Sequence, residues 1–168
     1  MKNIIIFLIC LGFQTVVIAQ DCIKGQDTRP LNTTSINLLG NASLISLNYE
    51  RLFKVHPKVL IGGQLGLGYN EEFVLWGGEA ESFSTIPIQV TGNFGKNKSM
   101  LEFGIGYTII NDLDKYTKNI AYSTIGYRLQ PLKAEKINFR VFVMLPITDT
   151  DNTSIIFIPI GISFGQCF

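Results

Sequence analysis

The chain of 168 residues contains few side chains whose types and spacing could perform catalysis. Its only histidine, His56, stands next to Pro57 in a short connection between two predicted strands. Acyl-transfer chemistry needs a nucleophile with a base within hydrogen-bond reach. Thr108, Ser123 and Ser154 have no visible base partner in the sequence pattern. The sequence therefore predicts no enzymatic activity, and we interpret His56 as an ordinary turn residue.

Two other motifs could hold a ligand. The glycine-rich segment 62–68 could suggest a phosphate-binding loop, but such a loop must open a helix, and this segment alternates like a strand. The acidic segments 112–114 and 149–152 lack the glycine and the distal glutamate of a calcium loop. The sequence therefore predicts neither a cofactor nor a metal site.

Charged and amide side chains recur at alternate positions of several segments, which places them on one face of each predicted strand. They are Glu50, Gln64, Gln89, Glu102, Arg128 and Arg140, accompanied by Asn48 and Thr91. Inside a small barrel the two acids and two arginines would pair, because isolated buried charges are costly. We therefore predict a polar network that closes the lumen. A charged ion path is the alternative, and eight strands leave little room for it.

Segment 155–168 has the clearest alternation in the chain. One face carries large apolar residues, and the other becomes small and polar toward the chain end. The apolar face consists of Ile156, Ile158, Ile160, Ile162, Phe164 and Phe168, interrupted by Gln166. Such a strand presents a continuous apolar stripe to one side. The stripe ends on a terminal aromatic residue, which resembles the C-terminal signal of bacterial outer-membrane β-barrels, and this resemblance makes a membrane its leading environment.

The same period predicts eight strands, at 33–39, 44–53, 58–69, 83–94, 99–109, 121–130, 137–146 and 155–168. Short connections alternate with longer ones, and transmembrane barrels have short inner turns, longer outer loops and an even strand number. Counting back from the last strand makes 33–39 the first strand. A start nearer Arg29 is the alternative, because a tilted spanning strand needs about 9–11 residues. The predicted fold is all-β, an eight-stranded antiparallel up-and-down transmembrane β-barrel.

The N-terminus has the pattern of a secretory signal peptide. Lys2 precedes an apolar stretch, and cleavage after Ala19 would leave Gln20 first. The apolar stretch is shorter than the ~20 residues that a spanning helix needs. The predicted domains are a signal peptide at 1–19, a periplasmic segment at 20–32 and an outer-membrane β-barrel at 33–168. Loss of Lys2 leaves 13 basic and 13 acidic residues, and the absence of a basic stripe argues against nucleic acid as a partner.

Four sequence blocks occur in order along the predicted barrel. They are Ser-Leu-Asn-Tyr-Glu-Arg at 46–51, Leu-Glu-Phe-Gly-Ile-Gly-Tyr at 101–107, Gly-Tyr-Arg-Leu-Gln-Pro at 126–131 and Gly-Ile-Ser-Phe-Gly at 161–165. Together they resemble the small, uncharacterised outer-membrane β-barrel proteins of Bacteroidetes. The terminal Phe168 resembles the C-terminal assembly signal of bacterial outer-membrane barrels. The resemblance implies a place in the bacterial outer membrane, with outer-membrane lipid and the barrel-assembly machinery as partners, and it brings no catalytic residues.

Two functions remain open. The first is a non-enzymatic envelope protein with a closed lumen, structural or accessory to an unidentified envelope protein. Its best contact surface is the cluster Phe73, Val74, Leu75 and Trp76 in a long loop, because exposed apolar clusters often mark contact sites. The alternative is a soluble, secreted, lipocalin-like barrel that binds an apolar ligand. That alternative needs the apolar face inside, and the many glycines on the polar face argue against it.

Two cysteines would survive removal of the signal peptide. Cys10 leaves with it, and Cys22 and Cys167 form an even pair in an exported chain, where oxidation is expected. Cys22 precedes the first predicted strand by about ten residues, a tether of at most ~35 Å. The sequence therefore predicts a Cys22–Cys167 disulfide across the periplasmic opening, and two unpaired thiols are the alternative.

Overall fold

The computed structural model describes residues 29–71, 82–111, 119–132, 136–147 and 158–168. They form eight strands: β1 (Asn32–Leu38), β2 (Ile45–His56), β3 (Val59–Glu71), β4 (Ser82–Phe94), β5 (Ser99–Asn111), β6 (Ile120–Leu129), β7 (Ile137–Pro146) and β8 (Ile160–Cys167). Within these ranges, no helix is long and apolar enough to cross a membrane.

The eight strands close into one barrel. Each strand pairs antiparallel with the next along the chain, and β8 pairs antiparallel with β1. The predicted all-β, eight-stranded, up-and-down barrel is thereby confirmed. We call the end with connections 57–58, 95–98 and 130–136 the turn end. The opposite end, with connections 39–44, 72–81, 112–119 and 147–159, is the loop end.

The two strands that close the barrel are its shortest. β1 has 7 residues and does not extend to Arg29, as the alternative start had suggested. β8 begins at Ile160, later than the alternation predicted, and residues 155–157 lie outside the described residues. Pro159 has no N–H to contribute to a ladder, although its carbonyl oxygen accepts a hydrogen bond from the Met144 amide at 2.7 Å.

The strands are staggered around the barrel, and this stagger is linked to their tilt. Cross-strand partners followed once around the barrel from Val59 lead back to Tyr69 on the same strand, ten residues further along. The path is Val59, Phe94, Leu101, Tyr127, Val141, Ile162, Leu38, Ile45 and Tyr69. Every residue on it is apolar or aromatic, and none is buried. An unbroken apolar line therefore encircles the outer surface.

Alternation along each strand separates the two faces of the sheet. Leu47, Leu67 and Ile105 point outward and are 57%, 69% and 65% exposed. Asn48, the chain neighbour of Leu47, points inward and is 1% exposed. The exterior is therefore apolar and the interior polar, which is the reverse of a soluble core.

Apolar side chains fill the lumen only toward its two ends. The loop-end cluster consists of Ala42, Phe83, Ile110, Ile120, Tyr122, Phe142 and Met144. The turn-end cluster consists of Leu52, Leu60 and Met100, with Leu31 packed against it. On β5, Glu102 lies between a member of the turn-end cluster, Met100, and a member of the loop-end cluster, Ile110. The charged side chains of the lumen therefore lie between two apolar layers.

Large aromatic rings inside the barrel lie against glycines of the neighbouring strands. A β-carbon at Gly161 would lie 2.5 Å from the Phe142 ring, and one at Gly106 would overlap the Tyr122 ring. These positions admit no side chain unless the ring moves. Because Gly161 and Gly106 have no side chains, the Phe142 and Tyr122 rings can occupy the space beside them.

The connection between β1 and β2 folds into the loop end of the lumen. We call residues 39–43 the inner turn. Its backbone is left-handed at Leu39, Gly40, Asn41 and Ala42, with φ of 54°, 103°, 54° and 55°. The Thr108 hydroxyl donates a hydrogen bond to the Asn41 carbonyl at 2.7 Å. Left-handed geometry costs a non-glycine residue roughly 1–2 kcal/mol, so buried contacts must hold this turn in place.

Candidate functional site: a charge network in the lumen

The six side chains predicted to form a lumen network lie on six consecutive strands. They are Glu50 on β2, Gln64 on β3, Gln89 on β4, Glu102 on β5, Arg128 on β6 and Arg140 on β7. All six are buried, with exposed fractions of 3% or less. The structure therefore brings together every residue of this set.

The first ion pair spans the barrel. Glu50 accepts two hydrogen bonds from Arg128, at 2.6 Å from Nη2 to Oε1 and at 2.7 Å from Nη1 to Oε2. Such bidentate, charge-assisted contacts are among the strongest in proteins. Because the pair joins β2 to β6, it ties opposite walls of the barrel together.

A second acid lies between the two arginines. Glu102 accepts from Arg128 Nε at 2.7 Å through Oε2 and from Arg140 Nη2 at 2.5 Å through Oε1. Arg128 and Arg140 are direct cross-strand partners on β6 and β7. The Glu102 carboxylate therefore neutralises a repulsion that the strand register creates.

The two glutamines accept further hydrogen bonds from Arg140. Its Nη1 donates to Gln64 Oε1 at 2.8 Å and its Nη2 to Gln89 Oε1 at 3.4 Å. Gln89 in turn donates from Nε2 to the Thr124 hydroxyl at 2.8 Å. Two carboxylates and two guanidinium groups give the network no net formal charge. The pairing of opposite charges offsets part of the desolvation cost of the buried ions.

Several buried polar atoms beside the network have no protein partner. They include both amide atoms of Asn37, Asn48 Oδ1, Ser163 Oγ and two atoms of network residues, Gln64 Nε2 and Arg140 Nε. Asn37 pairs with Ser163, and Ser163 with Arg140, in the strand register, so these groups line one continuous arc of wall. Ordered water commonly satisfies such groups. The sequence argument missed Asn37 and Ser163, although both occupy inward positions.

A second polar cluster closes the turn end. Gln130 Nε2 donates to the Pro30 carbonyl at 3.0 Å, and Asn138 Nδ2 donates to Gln130 Oε1 at 2.7 Å. A cavity of about 40 Å³ lies at this end, lined by Arg29, Leu31, Lys54, Pro57, Leu60 and Met100. This volume is large enough to accommodate water.

Cys167 belongs to this turn-end cluster. Its thiol is free and buried, and it lies 3.1 Å from the Thr33 hydroxyl. Cys22 lies outside the described residues. The Cys22–Cys167 disulfide therefore stays a prediction.

His56 and Phe168 lie away from the network. His56 is exposed at the end of β2, and its Nδ1 accepts a hydrogen bond from the Lys58 amide at 3.4 Å. Phe168 is 63% exposed and exchanges backbone hydrogen bonds with Asn32 at 2.9 and 3.2 Å. The contact cluster Phe73, Val74, Leu75 and Trp76 lies outside the described residues. Among the described residues, no group of three or more His, Cys, Asp or Glu side chains could hold a metal ion.

Comparison of the chain with protein-family models, with curated proteins and with solved structures gives no match. Conclusions about function therefore depend on the geometry of the barrel itself.

Proposed function

We propose that the protein is a non-enzymatic outer-membrane β-barrel with a closed lumen, serving a structural or accessory role in the bacterial cell envelope. The observation that carries this proposal is the inverted polarity of the barrel. Charged side chains occupy the interior, and large apolar side chains cover the outside. A transmembrane barrel requires this arrangement, because its outer face contacts lipid.

The apolar composition of the outer surface favours lipid rather than water as the surroundings of the barrel. The apolar path from Val59 to Tyr69 passes through all eight strands without a polar interruption. Soluble monomers rarely expose contiguous apolar patches larger than a few hundred Å². A closed barrel also leaves no unpaired strand edge, and lipid tolerates none.

The contents of the lumen support the proposal that the barrel is closed and does not catalyse a reaction. The inner turn occupies the loop end, and the charge network crosses the middle of the lumen. Both lumen carboxylates, Glu50 and Glu102, are bound to arginines, so neither is available as a general base. The network therefore favours a plug that closes the lumen over a path that conducts ions.

Location, family and partners belong to the same proposal. The signal-peptide pattern at 1–19 would export the chain, and the terminal Phe168 would present β8 to the barrel-assembly machinery. Membership of the small Bacteroidetes outer-membrane barrels rests on the four sequence blocks described above. The loop cluster at 73–76 is the proposed contact surface for an envelope protein.

A soluble, lipocalin-like barrel has less support. It would bury an apolar ligand against apolar inward side chains. Here the inward positions at the centre of the lumen carry Glu50, Glu102, Arg128 and Arg140 instead. The outward positions would have to face water with leucine, isoleucine and tyrosine side chains.

Cell fractionation tests the membrane location. The native protein should sediment with outer membranes and resist extraction by carbonate or urea. It should also migrate differently on SDS gels before and after boiling, because a closed barrel resists SDS until it is heated. Recovery as a monomer from a detergent-free periplasmic fraction would overturn the proposal.

A further inference from the structure

Lysines are concentrated at one end of the barrel. Five exposed lysines lie at the turn end: Lys54, Lys58, Lys96, Lys98 and Lys136. The acidic residues in the described ranges are Glu50, Glu71 and Glu102. Glu50 and Glu102 are buried in the lumen, and Glu71 ends β3 at the loop end. Among the described residues, the charged side chains exposed at the turn end are therefore all basic.

The opposite end has the opposite charge in the sequence. Segments 71–81, 112–118 and 149–151 connect strands at the loop end and contain eight acidic residues and two lysines. The chain as a whole is nearly neutral, with a formal net charge of +1. By the same count, the turn-end connections contain one acid, Glu135, and five lysines, which are Lys58, Lys96, Lys98, Lys133 and Lys136. Basic residues therefore predominate at one end of the barrel axis and acidic residues at the other.

The basic residues border the apolar belt. Lys136 precedes Ile137, which is 77% exposed, and Lys54 precedes Val55, which is 64% exposed. Lysine can lay its apolar stem along such a surface while its ammonium group reaches the polar boundary. The five turn-end lysines, which we call the basic rim, therefore lie where lipid headgroups begin if the belt is in a bilayer.

We propose that the basic rim binds the phosphate groups of anionic phospholipids in the membrane leaflet at the turn end. This inference rests on the membrane location proposed above and names the lipid class that the barrel selects. Each lysine near an anionic membrane surface strengthens binding roughly fivefold. Charge complementarity favours this occupant, because the described side chains that carry charge at the turn-end surface are cations.

Native mass spectrometry of the purified protein tests this assignment. The protein is released from detergent micelles containing equal amounts of phosphatidylglycerol and phosphatidylcholine, and the bound lipids are counted. The wild type should retain phosphatidylglycerol in preference to phosphatidylcholine. The variant Lys58→Gln/Lys96→Gln should lose most of that preference, by roughly fivefold per lysine. The control variant Lys115→Gln/Lys118→Gln removes two positive charges from a loop-end connection. It should keep the preference for phosphatidylglycerol.

A second variant guards against a local structural effect. Lys96→Gln/Lys136→Gln should lower the preference to a similar degree, and 0.5 M salt should weaken it in the wild type by screening. Equal retention of both lipids by the wild type would overturn the proposal, and so would an equal loss in the control variant. Failure of the membrane location itself would give a different result, because the protein would then not float with vesicles of pure phosphatidylcholine.

Discussion

Arg128 and Arg140 are cross-strand neighbours, yet both are almost completely buried. Two like charges placed side by side repel each other strongly in a medium of low dielectric constant. The Glu102 carboxylate lies between them and accepts a hydrogen bond from each. The stability of the lumen therefore depends on this carboxylate, which separates two like charges.

Replacement of Glu102 by glutamine should destabilise the barrel by about 3–5 kcal/mol, the usual cost of removing one partner from a buried ion pair. The double variant Glu102→Gln/Arg140→Gln keeps the neutral Glu50–Arg128 pair and should be more stable than the single variant. Urea unfolding of the vesicle-bound protein, followed by circular dichroism, measures both. A loss below about 1 kcal/mol for the single variant, typical of a solvent-exposed pair, would contradict this account.

Two glycines of the sheet provide a matched test of lumen packing. A β-carbon at Gly161 would lie 2.5 Å from Phe142, whereas one at Gly63 would meet nothing within 4 Å. Gly161→Ala should therefore cost about 1–3 kcal/mol, as overpacking does, and Gly63→Ala should change stability by no more than about 0.5 kcal/mol. Adding Phe142→Leu should recover part of the loss at Gly161. Equal changes in stability for Gly161→Ala and Gly63→Ala would show that the Phe142 ring does not need the space beside Gly161.

Alternation along the chain was sufficient to predict the strand number and the inward positions of Glu50, Glu102, Arg128 and Arg140. A period of two assigns each residue to a face without any knowledge of its neighbours in space. The choice of ion-pair partners cannot be derived from this period. It depends on the stagger of the strands, because of which the path of cross-strand partners that begins at Val59 returns to β3 at Tyr69. No local pattern encodes that stagger, so the position of Glu102 between two arginines could not be predicted.

The ends of the lumen were also beyond the reach of the sequence pattern. Gly40 and Asn41 indicate a turn, but not that the turn folds inward to meet Thr108. Asn37 and Ser163 have ordinary residue types. The β7–β8 register places Ser163 opposite Arg140, and only the closure of β1 on β8 places Asn37 beside Ser163. Pro159 was included in the last predicted strand because the apolar period continued through it, and its missing N–H outweighed that period.

A charged residue on the outer face distinguishes lipid from water as the surroundings of the barrel. Leu65 lies at the middle of β3 and is 56% exposed, and Val55 lies near the turn end and is 64% exposed. In a bilayer Leu65→Arg should cost about 2–4 kcal/mol, and Val55→Arg about 0–1 kcal/mol. Equilibrium folding into vesicles measures the difference. Two equally mild effects would indicate that the outer face is hydrated.

A closed lumen should conduct no steady current. An eight-stranded barrel is just wide enough for side chains to fill its interior, and here Arg128 and Arg140 cross the middle of it. Planar bilayers that contain the purified protein should show only baseline conductance, under conditions in which a porin standard gives stable steps. Persistent porin-like steps from the wild-type protein would mean that the network leaves an open path.

Cys22 and Cys167 allow a chemical test of the turn end. Cys167 is 1% exposed and lies beside Thr33 on the neighbouring strand β1. A bridge to Cys22 would hold the N-terminal segment across this opening and close a loop that spans nearly the whole mature chain. Chain-entropy models assign about 5 kcal/mol to such a loop, although measured values are often lower.

Alkylation in denaturant without reduction should give no adduct on either cysteine, and prior reduction should give two. The variant Cys22→Ser should give one adduct without reduction and unfold at lower urea concentration. Two adducts on the unreduced wild-type protein would rule the bridge out.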